Sequence, residues 1–193
     1  MANMNGRAAG NVGEVVVALP ADRELSSRTA EILASHPPIN VLRMFALTED
    51  MLPAVLAMVG AVFKAEGIAP RLREIMVLRC AHLLNVPYER QANLVMARNV
   101  GLSTGEIEAI GKDGPVAGLD AEGTLICRAT DELTEFATLT DPTLQALVDR
   151  YGRNVAAKLI LAVAWFNLLS RFLNGTRVPL EAGNAYEGRT SPI

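Results

Sequence analysis

Apolar residues recur along this chain at intervals of three and four, and polar stretches carrying Pro, Gly or a capping side chain interrupt them. That period is helical. Ser26 or Ser27 caps a first helix that ends before Pro37-Pro38, and Thr48 caps the next. There Met51, Leu52, Val55, Leu56, Val59, Val62 and Phe63 share helical spacing until Gly67 stops the run. Pro70 sits in the first turn of a helix reaching about Leu84, and Pro87 opens another that Gly101 ends. Proline is tolerated at such starts because the N–H it lacks has no intrahelical partner there. Ser103-Thr104-Gly105-Glu106 has the capping-box pattern of a short helix. After a loop marked by Gly114, Pro115 and Gly118, Asp120 caps a helix bearing Leu125, Ile126, Ala129, Leu133 and Phe136. Asp141-Pro142 opens another, with Leu144, Leu147, Val148 and Tyr151 on one side and Gly152 at its end. Asn154 caps the last and most apolar helix, which runs to Asn174-Gly175.

No strand pairs emerge, so the pattern predicts an all-α chain of about seven or eight helices. Residues 1–24 read as a flexible N-terminal arm, with Val15 to Leu19 suited to packing on a partner subunit. Residues 25–180 read as a single domain. From Glu181 to 193, Gly, Asn, Ser and Pro predict a frayed tail.

Composition narrows the class. Half the residues are apolar and 20% are charged, enough to bury a sizeable core. With 18 basic against 21 acidic residues the net charge is -3, which gives no basic field for nucleic acid. Two cysteines, Cys80 and Cys127, exclude a disulfide scaffold and fit a reducing cytoplasm. The first twenty residues lack the apolar core of a secretory leader. The longest apolar run, Leu159 to Phe166, falls short of the ~20 residues a membrane helix needs. A soluble cytoplasmic protein, off the membrane, is the expectation.

The segment Arg71 to Ser103, RLREIMVLRCAHLLNVPYERQANLVMARNVGLS, reads as two amphipathic helices and a glycine stop. It resembles the core of the carboxymuconolactone decarboxylase family, which includes the alkylhydroperoxidase D-like proteins. The resemblance extends through HPPINVLRMFALTEDMLPAVLAMVGAVF before it and through AEGTLICRATDELTEFATLTDPTLQALVDRYG and NVAAKLILAVAWFNLLSRFLNGTRVPLE after it, from about Ser35 to Glu181. It implies an alkylhydroperoxidase D-like helical bundle that self-associates as a dimer, trimer or higher homo-oligomer. Many members place a redox cysteine at the start of the second core helix and a histidine about two turns on. The matching positions here are Val86 and Asn93.

Several residues of this core are candidates for chemistry. Glu74 matches the acidic residue of the family's R-x-R-E entry to the first core helix and lies in an otherwise apolar run. It reads either as a proton carrier or as a carboxylate favouring the helix dipole, worth ~0.3–1 kcal/mol. His82, two turns on, is the natural acid–base near neutral pH, or a core or interface histidine. Tyr88 and Glu89 match the family's Y-E pair in the first turn of the second core helix. Tyr88 can donate to a developing oxyanion. Glu89 reads first as a helix cap, second as a base if desolvated. Asn93 exchanges no proton near pH 7 but can hold a substrate oxygen. Arg171, in the stripe Asn167, Arg171, Asn174, is a reserve carboxylate binder on a face read mainly as structural. The catalytic set is therefore Glu74, His82 and Tyr88, and the substrate-binding set Asn93, Glu89 and Arg171.

The two histidines, His36 and His82, have no ligand at i+3 or i+4, so no metal site is expected. No phosphate-binding loop appears, and no cofactor is expected. The first functional reading is a cofactor-independent acid–base enzyme of decarboxylase, lyase or isomerase type. Its substrate would be a small oxygenated or aromatic-derived compound, as in aromatic catabolism. One alternative is a non-catalytic oligomeric scaffold or ligand-binding protein. The other is a thiol (alkylhydro)peroxidase, which needs a thiolate near Val86.

Overall fold

The computed structural model describes residues 14–183 and 185–191. Within them a short 3-10 turn, Asp22–Glu24, precedes eight α-helices: α1 Ser27–Ala34, α2 Asn40–Phe45, α3 Leu52–Phe63, α4 Pro70–Leu83, α5 Pro87–Asn99, α6 Thr104–Ile110, α7 Ala121–Phe136 and α8 Asp141–Thr176. No strand occurs among the described residues. The chain is all-α.

Local chemistry sets most boundaries. The Ser26 hydroxyl accepts the Thr29 N–H at 3.2 Å, and the Asp120 carboxylate accepts the Gly123 N–H at 2.7 Å. Ser103 and Glu106 exchange hydrogen bonds in the expected capping box, at 3.3 and 2.9 Å. Thr48 differs from expectation. Its hydroxyl donates to the Phe45 carbonyl, so a turn intervenes and α3 begins only at Leu52. The helix α2 was not anticipated, and its capping groups come from far along the chain: the Glu181 carboxylate accepts the Asn40 N–H at 2.6 Å, and the Tyr88 hydroxyl accepts that of Val41 at 3.1 Å.

At the centre lies α4, packed against α5, α6, α7 and α8 and buried without interruption from Leu72 to Ala81. The connection Leu84 to Val86, with Asn85 at φ 51°, turns the chain so that α5 folds back on α4. Buried on α4, Arg79 places all five of its N–H donors. Asp131 takes two, at 2.5 and 3.2 Å, and the carbonyls of Ile110, Lys112 and Gly114 take the rest at 2.6–2.9 Å. A planar guanidinium fork suits that set. It ties the loop after α6 to the core.

The two final helices expected on either side of Gly152 are present, joined end to end within α8 across a kink at that glycine, whose φ of 73° and ψ of 158° are not helical. Glycine alone adopts such angles without strain. By length and composition α8 could cross a membrane, its most apolar window having a mean hydropathy of 1.5. In this fold it is a core helix, with Leu159, Val163, Phe166 and Leu173 buried as it packs on α4 and α7.

The tail is not frayed through the described residues. Glu181 is clasped on both sides by the Gln91 amide, at 3.1 and 3.3 Å, and Tyr186 is buried. At the other end, the expected arm begins among residues outside the described ones. Val15 and Val16 are exposed, and the Val17 N–H donates to the Thr176 carbonyl at 3.1 Å.

Candidate active site

Two apolar clusters make up the interior. One is centred on α4, α7 and α8, the other on α2, the α4–α5 turn and the end of α8. A cavity of about 50 Å³ lies at their seam. Phe63, Trp165 and Phe166 line it from the first cluster, and Phe45, Met96 and Leu173 from the second. Its wall also carries Tyr88, Glu89, Asn93 and Tyr186.

Glu89 is the third residue of α5, yet it does not cap that helix. The side chain turns inward and is 2% exposed. Its Oε2 accepts a short hydrogen bond from the Ser170 hydroxyl on α8, while Oε1 has no partner among the described residues. A carboxylate with one donor in an apolar wall is poorly solvated. Burial accordingly raises the Glu89 pKa to about 8, against a smaller lowering by Ser170. One turn on, the Asn93 amide nitrogen donates to the Glu89 carbonyl at 2.9 Å, which fixes the asparagine against the same wall. The Trp165 indole N–H, on a residue lining the cavity, also lacks a partner among the described residues. An unmade buried hydrogen bond costs ~1–3 kcal/mol.

Tyr88, next to Glu89 on α5, lines the same cavity. Its hydroxyl donates a short hydrogen bond to Glu181, lies 2.9 Å from the Tyr186 hydroxyl, and accepts from the Val41 N–H. Burial pushes the phenol well above its ordinary range. The phenol stays protonated.

The remaining expected site residues lie elsewhere. Glu74 is fully buried on α4, with no hydrogen-bond partner for either carboxylate oxygen among the described residues, but it does not line the cavity. Burial raises its pKa to about 8, and the neighbouring Arg73 opposes the rise. The Arg73 guanidinium rests over the Phe63 ring, 5.2 Å from its centre. His82, read as an acid–base, is partly exposed and bonds the exposed Asp113 at 2.9 Å; it does not line the cavity that Tyr88 and Asn93 line. The eight residues separating it from Glu74 are two turns plus about 80°, which carries it off that face. Arg171 is exposed and bonded at 2.6 Å to Asn167 Oδ1, away from the cavity. Its stripe is structural: Asn167 bonds Thr134 at 2.9 Å, and Asn174 holds the Leu84 carbonyl at 3.0 Å.

No protein-family model matches the chain, and no curated protein matches it in sequence. Among solved structures it is similar to the crystal structure of an alkylhydroperoxidase AhpD core, an uncharacterised peroxidase-related protein from Ralstonia eutropha JMP134. The TM-score is 0.73 at 16% identity, over 90% of this chain and 96% of that one. The fold is the alkylhydroperoxidase D-like fold. Within it, Val86 and Asn93 stand where the family resemblance places its cysteine and histidine. The two thiols lie elsewhere in this alkylhydroperoxidase D-like bundle. Cys80 is fully buried, within 3.8 Å of the Thr134 hydroxyl and 3.5 Å of the Asn167 amide. Burial pushes both thiols up, Cys127 to about 12 and Cys80 further. Among the described residues no group of three His, Cys, Asp or Glu side chains could hold a metal ion.

Sequence reasoning missed Ser170, Trp165 as a cavity residue, and Tyr186. Ser170 had a readable signal: it follows Phe166 by four residues and precedes Leu173 by three, a hydroxyl on a buried apolar stripe.

Proposed function

We propose that this protein is a cofactor-independent acid–base enzyme, of decarboxylase, lyase or isomerase type, acting on a small apolar molecule with a carbonyl-type oxygen. The observation that carries this reading is Glu89, a buried carboxyl in the wall of an apolar cavity with one oxygen unpartnered and a pKa near 8. A general acid or base works best when its pKa lies near the operating pH. Glu89 takes the proton-moving role that the sequence gave to Glu74 or His82, and Asn93, Tyr88, Tyr186 and Trp165 bring the other polar groups of the residues lining the cavity. In a proton transfer next to a carbonyl, Glu89 would remove the proton while the indole N–H meets the oxygen as charge develops on it.

The neighbouring structure's description as peroxidase-related raises thiol chemistry as a rival. Two buried thiols with raised pKa argue against it here, because the thiolate is the reactive form. Self-association is part of the proposal, supported by the exposed apolar side chains Leu161 and Leu168 on α8. Light scattering at micromolar concentration tests it.

The test of the chemistry follows hydrogen exchange by NMR in heavy water, with a panel of small enolisable ketones and lactones. The native protein should accelerate exchange for at least one member, and Glu89→Gln should lose ~10²–10⁴-fold of that rate. Full activity in Glu89→Gln would remove Glu89 from the mechanism. No exchange by the native protein across the panel would favour a non-catalytic scaffold or ligand-binding protein.

A further inference from the structure

The C-terminal residues after α8 pack over Tyr88 and bring Tyr186 into the lining of the cavity. The Glu181 carboxylate receives the Tyr88 hydroxyl and the Asn40 N–H, its backbone is clasped by Gln91, and the Asn40 amide donates to the carbonyls of Pro179 and Leu180 at 3.1 and 3.2 Å. Tyr186 then inserts its ring into the cavity wall, 3% exposed, with its hydroxyl on that of Tyr88. Beyond it, the Arg189 carbonyl accepts the Asn99 amide at 2.7 Å. Around these anchors the chain is exposed at Leu180, Ala182, Gly183, Glu187 and Gly188. Tyr186 is the only fully buried side chain among the described residues after Val178.

Two consequences follow from this arrangement. The cavity, at about 50 Å³, is well below the ~300 Å³ at which small-molecule pockets begin, and Tyr186 fills part of the space. In addition, the Tyr88 oxygen accepts the Val41 N–H and gives its proton to Glu181, with Tyr186 as a third neighbour. A hydroxyl has one proton and two lone pairs, so nothing is left for a ligand.

We propose that Glu181 and Tyr186 form a displaceable cover over the cavity, whose closed state occupies the Tyr88 hydroxyl and whose opening admits a small oxygen-bearing ligand and frees that hydroxyl for it. A segment held by polar anchors and one ring opens at lower free energy than the helices beneath it. Opening also removes Glu181 from the Asn40 N–H, one of the two distant caps of α2, so the start of that helix loosens with the cover. The proposal does not depend on which reaction, if any, the cavity hosts.

Trp165, the only tryptophan of the chain, lines the cavity and reports its accessibility. Acrylamide, a small neutral amide, quenches the indole only where it can reach it. In the full chain the quenching constant should be low. In the double variant Glu181→Ala/Tyr186→Ala it should rise several-fold while far-UV circular dichroism keeps its helical shape. Equal quenching in a folded variant would overturn the proposal. Should the variant not fold, hydrogen exchange on the native chain decides. The Glu181 and Tyr186 region should exchange through a local opening that depends little on denaturant, well before α4. Exchange of that region only by global unfolding would show a fixed part of the core and no cover.

Discussion

Ser170, on α8, donates its hydroxyl hydrogen to Oε2 of Glu89, at the start of α5, and this is the only hydrogen bond made to that carboxylate among the described residues. It joins the longest helix of the fold to the proposed proton carrier and is the one contact that favours the ionised form.

Removing that contact should move the titration of Glu89 in a defined direction. Ser170→Ala leaves the anion without a donor, so the pKa rises above its present value of about 8. Infrared titration of the carboxyl band, or the alkaline shift of a pH–rate profile, would show it. A fall in the pKa would mean that water replaces the hydroxyl more effectively than the fold suggests.

The two buried glutamates give stability an unusual pH dependence. Glu74 and Glu89 both titrate near 8 when folded, against about 4.3 for a free glutamate. Between those values the folded state holds protons that the unfolded state has released, so stability falls as pH rises through this window. The slope is at most about 1.4 kcal/mol per pH unit for each group. Carboxylates held low act in the opposite sense but at lower pH, as with Glu106, which its Arg71 partner and the capping box hold at about 2. Urea midpoints should therefore be higher near pH 5 than near pH 8, and Glu74→Gln or Glu89→Gln should each flatten the trend. A midpoint rising from pH 5 to pH 8 would contradict the burial of both groups.

Thiol reactivity offers a separate check. In the native protein Cys80 and Cys127 should react with an aromatic disulfide reagent far more slowly than after denaturation in urea, since both are buried and protonated. Fast native labelling of either would return thiol chemistry to consideration.

Arg79 should tolerate little. Arg79→Met strands Asp131 and three carbonyls; because the Asp131 side chain keeps 21% exposure, the loss should stay below the ~3–5 kcal/mol of a fully buried pair broken from one side. Lysine cannot reproduce the fork and should recover only part of that loss. Thermal melts of the two variants would measure it.

What the sequence disclosed and what it hid divide along the range of the interactions. Helices capped by their own neighbours, such as α6 with Ser103 and Glu106, were legible because the signal lies within four residues. The helix α2 was not, because its capping groups arrive from Tyr88 and Glu181. The tail was misjudged for the same reason: its turn-forming residues resemble a loose end, while its anchors, Gln91, Tyr88 and Asn99, lie about ninety residues away. At the site, the family resemblance singled out Tyr88, Glu89 and Asn93, which the fold does gather on one cavity. Glu89 was first read as a cap because nothing local shows that its carboxylate turns toward Ser170.

Gly152 sets a length scale for the molecule. A straight helix of 36 residues would reach about 54 Å at 1.5 Å per residue. A globule of this chain length has a radius of gyration of roughly 16 Å, hence a diameter of about 40 Å. An unbroken rod would project beyond the body it belongs to, carrying an apolar face with nothing to cover it. Gly152, with its non-helical angles, redirects the chain before that happens, and so lets the most apolar stretch of the sequence end where Ser170 and Leu173 meet α5 and the cavity. A β-branched residue at position 152 would have to straighten the chain or strain it, and the reach of the site would change with the angle.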